Sequence, residues 1–241
     1  MVGWGEVLGG ILYTGIVSVH YHHICWCKLL RGIKRQSMKS VYLAGPTVFL
    51  PDAESVFGIM KSILKDHGLK GVAPVDNQSN LIGVRPGRDL NEAIYRADVE
   101  IMNSVDGAIF DISPFRRGTE MDTGTAFEIG YCRCLNIPMT GWTTQKVFYP
   151  EHVSGYVKER YGQGLREDAE NAPGAKSGST RDPDGMLVHS SGFYQNLMVQ
   201  MAIETSGGSV HADRSWESAF GKAAAQLAQL LQQNTNRDLN F

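Results

Sequence analysis

A glutamate flanked by threonine, glycine and a further acid is the residue of this chain best suited to chemistry. Glu128 lies in the segment Asp122–Tyr131, which follows an apolar run. Thr123 or Thr125 could cap the free N–H groups that begin a helix here, and the helix dipole favours a negative charge in its first turns. A carboxylate held ionised beside a glycine-opened cleft suits a nucleophile or an electrostatic stabiliser. The alternative is an ordinary helix-start glutamate that contacts no ligand.

The segments around this glutamate alternate between apolar runs and patterns of helical spacing. Strands are predicted at 40–44, 71–75, 106–111 and 137–142, with an edge strand at 208–211. Amphipathic helices are predicted between them, and a last one at about 215–231. Such alternation indicates an α/β fold, a doubly wound parallel sheet of about five strands covered by helices on both faces.

In a sheet of this kind the ligand crevice lies beyond the carboxyl ends of the strands. Tyr42 and Gly45 belong to the end of the first strand, whereas Asp122 and Glu128 follow the third. These residues can therefore meet although they are far apart in sequence. A phenol in a buried strand needs a hydrogen-bond partner. Asp98 lies off the apolar stripe of its helix and faces either solvent or the strand ends.

Composition and motifs exclude several function classes. The chain has 241 residues, a formal net charge of −2 and 42% hydrophobic residues, which is typical of a soluble protein without a basic footprint for nucleic acid. Neither the dinucleotide fingerprint nor a phosphate-binding Walker loop is present, so nicotinamide and ATP chemistry are not indicated. Four cysteines in two Cys-x-Cys pairs predict reduced thiols in a cytoplasmic protein.

Residues 1–37 differ from the rest of the chain. Their apolar run at 7–19 is too short to span a bilayer comfortably, and the histidines and cysteines at 20–27 lack a second half of a zinc site. A basic patch at 28–39 leaves peripheral membrane contact open, although no membrane or metal partner is expected. We predict a non-catalytic extension at 1–37 and a catalytic domain at 38–241. Residues 162–192, rich in Gly, Asp, Ser and Pro, are predicted to form a flexible insertion.

Five short motifs follow one another along the chain. They are Tyr42-Leu-Ala-Gly-Pro-Thr-Val-Phe49, Asp98 eight residues before Asp106, Ser113-Pro-Phe-Arg116, Asp122-x-Gly-Thr-Ala-Phe-Glu128-x-Gly, and Asn196-Leu-Met198. In this order and spacing the motifs resemble the nucleoside 2-deoxyribosyltransferases, and most of all their purine-preferring branch. The resemblance spans about 38–233, excluding most of 162–192. It implies a flavodoxin-like (Rossmann-like) fold and an exchange of N-glycosidic bonds.

The resemblance also implies a role for each matched residue. Glu128 corresponds to the nucleophile, and Tyr42 to the tyrosine that orients it. Asp98 and Asp122 correspond to the pair that binds the nucleobase and manages its proton. The implied substrate-binding residues are Gly45 in the first loop, Phe49 beside the base, Asn196 at the sugar 5′-hydroxyl and Met198 near the nucleophile.

The chemistry so implied needs neither a metal nor an organic cofactor. Glu128 would capture the sugar of a 2′-deoxyribonucleoside and release the free nucleobase, and another base would take its place. Since the family lends Asn196 across a subunit interface, a homo-oligomer with shared active sites is expected. Two alternatives stay open. One is a hydrolase of 2′-deoxynucleoside 5′-monophosphates, with Arg116 and Arg117 as possible phosphate partners, and the other is a non-catalytic nucleotide-sensing module.

Overall fold

A parallel sheet forms the centre of the protein in the computed structural model, which describes residues 38–168 and 179–238. Its five strands are β1 (Lys39–Ala44), β2 (Leu69–Val72), β3 (Gly107–Asp111), β4 (Met139–Thr143) and β5 (Val210–Ala212). They lie in the order β2-β1-β3-β4-β5, and every neighbouring pair is parallel. This is the strand order of flavodoxin-like folds. The predicted fold class and the edge position of the last strand are confirmed.

Successive residues of a strand point to opposite sides of the sheet. Both sides carry buried apolar residues, and helices cover both faces. The helices are α1 (Ala53–Asp66), α2 (Arg88–Ser104), α3 (Thr123–Cys134), α4 (Tyr149–Tyr161), α5 (Leu197–Glu204) and α6 (Trp216–Asp238). In β1, Val41 and Leu43 pack into a core with α1 and α6. The side chain of Tyr42 points into a second core with α2, α3 and α5. The sheet is therefore doubly wound.

Several element boundaries differ from the prediction, and two of the differences occur beside proline. The second strand ends at Val72 instead of reaching residue 75, because a 3₁₀ helix (Pro74–Leu81) begins there and Pro74 offers no N–H to a ladder. The fourth strand begins at Met139, just after Pro138. The last helix continues to Asp238, beyond the predicted end at 231.

The described part of the 162–192 insertion carries a small antiparallel sheet. Its three strands are Arg166–Glu167, Thr180–Arg181 and Leu187–Val188. Just after the insertion, the buried amide of Gln195 donates to the carbonyl of Thr119 across 3.2 Å. The chain leaving the insertion is thus attached to the loop that leads into α3. The flexibility of the insertion stays a prediction.

Two findings bear on the remaining predictions about membranes and thiols. Among residues 38–168 and 179–238, no helix combines the length and the apolar character that crossing a membrane requires. Cys132 is buried and Cys134 exposed, and both are free thiols. The extension at 1–37, with the histidines and cysteines at 20–27, lies outside the described residues.

Candidate active site

The side chains of Tyr42 and Glu128 meet between the sheet and α3. Tyr42 is fully buried in the central strand β1, and its hydroxyl donates a hydrogen bond to Oε1 of Glu128 across 2.6 Å. The phenol therefore has the partner that its burial requires. Burial and the neighbouring carboxylate of Glu128 raise the pKa of Tyr42, so the phenol keeps its proton and acts as a donor.

Helix α3 is capped by an acid and not by the predicted threonines. Asp122 has an extended backbone, and its Oδ2 accepts hydrogen bonds from the backbone N–H of Thr125 at 2.9 Å and from its hydroxyl at 3.0 Å. Thr123 already lies inside the helix, where its side chain cannot serve as the cap. The short carboxylate one residue earlier satisfies the free N–H instead. Because Asp122 is held by the cap, its position relative to Glu128 is set by the helix itself.

A cavity of about 360 Å³ opens where the chain leaves β1 and β3 in opposite directions. The segment after β1 leads to α1 on one face of the sheet, and the segment after β3 leads to α3 on the other. Such a switch point is where open α/β sheets bind ligands. The cavity is lined by five of the predicted site residues, Gly45, Phe49, Asp98, Asp122 and Glu128.

Two acids of this cavity, Glu128 and Asp98, have pKa values raised above their ordinary ranges. Burial raises the pKa of Glu128 to about 7; the hydrogen bond from Tyr42 opposes the shift, and the charges of Asp98 and Asp122 add to it. Burial likewise raises the pKa of Asp98 to about 6. The cluster therefore holds a proton close to neutral pH, and the Tyr42 phenol favours the ionised form of Glu128. Since the pKa of Glu128 is the higher of the two, the form with Glu128 ionised and Asp98 protonated, which nucleophile and acid roles require, is the minor one, and the hydrogen bond from Tyr42 increases its share.

Asp98 faces the cavity, which decides between the two orientations left open by its helical spacing. Its neighbours Ile94 and Ala97 on α2 also line the cavity. Further lining residues come from the 3₁₀ helix after β2, including Asn77 and Leu81. The sequence of this 3₁₀ helix carries no recognisable motif. Only its position after a strand of the predicted sheet could have indicated a role in the site.

Gly45 contributes to the site through its backbone. Its φ is +148°, and a Cβ built on it would lie 2.5 Å from the Cβ of Asp111 at the end of β3. A side chain here would separate the ends of the two central strands. Phe49 extends from the same loop, retains 59% of its surface exposed, and packs against Phe115 with ring centroids 5.5 Å apart.

Asn196 and Met198 lie apart from this cavity among the described residues. Asn196 caps α5, accepting a hydrogen bond from the backbone N–H of Met198 at 3.0 Å. The side chain of Met198 is 73% exposed. Met198 is thus exposed and Asn196 half-buried, and neither lines the cavity of the same chain.

Fold and site together define an α/β protein of flavodoxin-like topology, with a tyrosine-held glutamate in a cavity at the switch point of its sheet. The model of the family "Nucleoside 2-deoxyribosyltransferase" matches residues 41–198, more than half of the chain, and the protein belongs to this family. The predicted family membership is confirmed. Enzymes of the family act on deoxynucleosides and nucleobases.

Three comparisons illustrate the range of similar proteins. An uncharacterized protein of Schizosaccharomyces pombe is 43% identical over 188 residues, which cover 78% of this chain and 88% of the relative. A solved 2-desoxiribosyltransferase from Leishmania mexicana is 26% identical with a TM-score of 0.49, covering 77% of this chain and 97% of its own. A CMP N-glycosidase from Clostridium botulinum is 12% identical with a TM-score of 0.40, covering 76% of this chain and 95% of its own.

Proposed function

We propose that the protein is a nucleoside 2-deoxyribosyltransferase that exchanges the base of 2′-deoxyribonucleosides through a covalent intermediate on Glu128. The observation that carries the proposal is the buried Glu128 carboxylate, held by the Tyr42 hydroxyl at 2.6 Å inside an acid-lined cavity. A glutamate fixed in this way can approach a sugar carbon without first losing a shell of water.

The reaction proceeds in two displacements at the anomeric carbon. The carboxylate of Glu128 attacks C1′ while the bond from C1′ to the base nitrogen breaks, and the bonding electron pair leaves with the base. A carboxylic acid of the cavity gives that base a proton. An incoming base then attacks C1′, and the bond from C1′ to Glu128 breaks. The incoming base loses its proton to the acid that protonated the departing base. Two inversions restore the original configuration.

Asp98 is better suited than Asp122 to donate this proton. The raised pKa of Asp98, about 6, keeps a fraction of it protonated near neutral pH. One oxygen of Asp122, in contrast, already accepts two hydrogen bonds from Thr125 at the helix start, which fix the position of this carboxyl group. We assign base protonation to Asp98 and base orientation to Asp122.

The substrate class follows from the family and from the cavity. A 2′-hydroxyl would crowd the nucleophile, so 2′-deoxyribose is the expected sugar. The predominantly apolar walls, with Phe49 at the rim, suit stacking of a flat base. Purine preference is the narrower part of the proposal and rests on the sequence resemblance. The chemistry uses only side chains of the protein.

A second copy of the chain completes the active site in this proposal. Asn196 and Met198 lie at the start of α5, which packs against α3, and the side chain of Met198 is exposed. Large apolar side chains are exposed on the same two helices, among them Met201 on α5 and Phe127 on α3. Exposed apolar surface of this kind marks contact sites. The arrangement supports a homo-oligomer in which Asn196 of one copy serves the cavity of another.

A complementation experiment tests the shared site. Glu128→Ala and Asn196→Ala are each expected to be nearly inactive alone. After the two proteins are mixed and reassembled, one site of each mixed pair keeps both residues, so random pairing restores about a quarter of wild-type activity. Recovery no greater than the sum of the separate activities would show that each chain supplies its own Asn196.

Base exchange itself is tested by incubating the protein with 2′-deoxyinosine and adenine. We expect 2′-deoxyadenosine and hypoxanthine, and a slow 2′-fluorinated donor should leave a sugar mass on Glu128. Glu128→Ala should abolish both, whereas Glu100→Ala, an exposed acid on α2, should change neither. Free deoxyribose without a new nucleoside would identify a hydrolase instead. Nucleoside binding without any turnover would identify a sensing module.

A further inference from the structure

A cation stacked on two aromatic rings lies at the rim of the cavity. Phe49 lines the cavity and packs against Phe115. The guanidinium carbon of Arg116 lies 4.7 Å from the ring centroid of Phe115 and 6.0 Å from that of Phe49. Both distances are within the range of cation–π attraction. The mechanism described above uses Phe49 for stacking but gives no role to Phe115 or to the guanidinium of Arg116.

A tight loop holds Arg116 in place at a conformational cost. The N–H of Phe115 donates to the carbonyl of Glu120 at 2.8 Å, and the N–H of Gly118 donates to the carbonyl of Phe115 at 2.9 Å. Between these bonds, Arg116 and Arg117 have φ values of +51° and +60°, in the left-handed region that residues other than glycine rarely adopt. Such strain is retained where the surroundings require one particular geometry.

The charge balance of the cavity indicates what this guanidinium can bind. Within residues 38–168 and 179–238, Arg116 makes no ion pair or hydrogen bond, and its donors are available. The ionisable groups that line the cavity are the acids Asp98, Asp122 and Glu128. Such a cavity disfavours a dianionic phosphate. A neutral ligand avoids repulsion by the acids, and acceptor atoms that it presents at the rim can bind the guanidinium of Arg116.

We propose that Arg116 determines base specificity, favouring 6-oxopurines such as hypoxanthine and guanine over the 6-aminopurine adenine. The inference rests on the proposed base exchange. A base stacked on Phe49 would bring its edge to the guanidinium. A 6-oxopurine offers two acceptors there, O6 and N7, which the planar fork of arginine matches with two donors. Adenine offers an amino group in place of O6, and arginine has no acceptor for it.

The test compares Arg116→Ala, Arg116→Lys and the matched control Arg117→Ala. The control has the same backbone strain, but its side chain lines a separate cleft with His152 and Tyr156. We measure kcat/KM for 2′-deoxyinosine and 2′-deoxyadenosine as donors, with 2,6-diaminopurine as the common acceptor. The preference for deoxyinosine should fall by about tenfold or more in Arg116→Ala. Lysine should not restore it, because its ammonium lacks the planar fork. Arg117→Ala should keep the wild-type ratio.

Direct binding separates this inference from the proposed function. Calorimetric Kd values for hypoxanthine and adenine should show the same change in ratio, whether or not bases are exchanged. If wild type exchanges no base but the Kd ratio still depends on Arg116, only the proposed reaction fails. An unchanged ratio in Arg116→Ala overturns the specificity role. A loss of binding in Arg116→Ala that is confined to 2′-deoxyinosine 5′-monophosphate also overturns it, since Arg116 would then bind a phosphate.

Discussion

Replacing Tyr42 by phenylalanine isolates the effect of one hydroxyl on the ionisation of Glu128. The ring of Tyr42 would stay packed in the core, while the 2.6 Å hydrogen bond to Oε1 is lost. That bond lowers the pKa of Glu128, whereas burial and the charges of Asp98 and Asp122 raise it. Without the hydroxyl the pKa of Glu128 therefore rises further above its wild-type value of about 7.

The size of the effect follows from the charge on the acceptor. A hydrogen bond to a charged group contributes about 1.5–3 kcal/mol, and about 1.4 kcal/mol changes an equilibrium tenfold. At pH 6 most of Glu128 is protonated in both proteins, so the ionised fraction should fall by about tenfold or more in Tyr42→Phe. Below about pH 7 kcat/KM should fall by the same factor, and the basic limb of the pH profile, set by the ionisation of Glu128, should move upward by about one pH unit or more.

The assay is the pH dependence of kcat/KM for base exchange over the range from about pH 5 to 9. Wild type should give a bell-shaped profile, because Glu128 must be ionised and Asp98 protonated. Tyr131→Phe is the matched control, since that hydroxyl donates to exposed Asn103 at 3.1 Å, away from Glu128. If Tyr42→Phe lowered the rate equally at every pH, the hydroxyl would position Glu128 without governing its ionisation, and the reasoning would be refuted.

Two further predictions concern stability. The folded protein holds a proton on Glu128 up to about pH 7 and the unfolded chain only up to about 4.5, so stability falls as pH rises between these values, by on the order of 3 kcal/mol. Glu128→Gln should therefore unfold at a higher temperature than wild type at pH 8, with the difference shrinking toward pH 4.5; equal melting temperatures at both pH values would contradict this. Gly45→Ala should lower the free energy of unfolding, measured by denaturant titration, by at least about 2 kcal/mol, because of the positive φ of Gly45 and its close approach to Asp111. Gly58→Ala, on the exposed face of α1 with no atom within 4 Å of the added carbon, should instead raise it slightly.

Much of the fold could be predicted from local patterns. Apolar runs separated by helical stripes defined the strands and helices in their correct order, and the alternation implied a parallel sheet. The errors lie where local chemistry competes with the pattern. Pro74 and Pro138 shift strand boundaries because proline cannot donate to a ladder. Asp122 replaces the threonines as the cap, since several neighbouring residues could satisfy the same N–H groups.

The motifs of the sequence determined the family and most of the candidate site residues. They did not show which residues meet. Tyr42 and Glu128 are 86 positions apart, and their contact exists only because β1 and β3 are adjacent in the sheet. The inward direction of Asp98, likewise, depends on how α2 packs beside the cavity.

The electrostatics of the site were decided by the tertiary structure alone. A carboxylate titrates near its ordinary value in an extended chain, whatever its neighbours in sequence. Only folding removes water from Glu128 and Asp98, which raises the pKa of each, and only folding brings the charge of Asp98 close to Glu128, which raises the pKa of Glu128 further. Residue types can therefore be read along the chain, whereas the protonation states needed for chemistry arise from long-range burial.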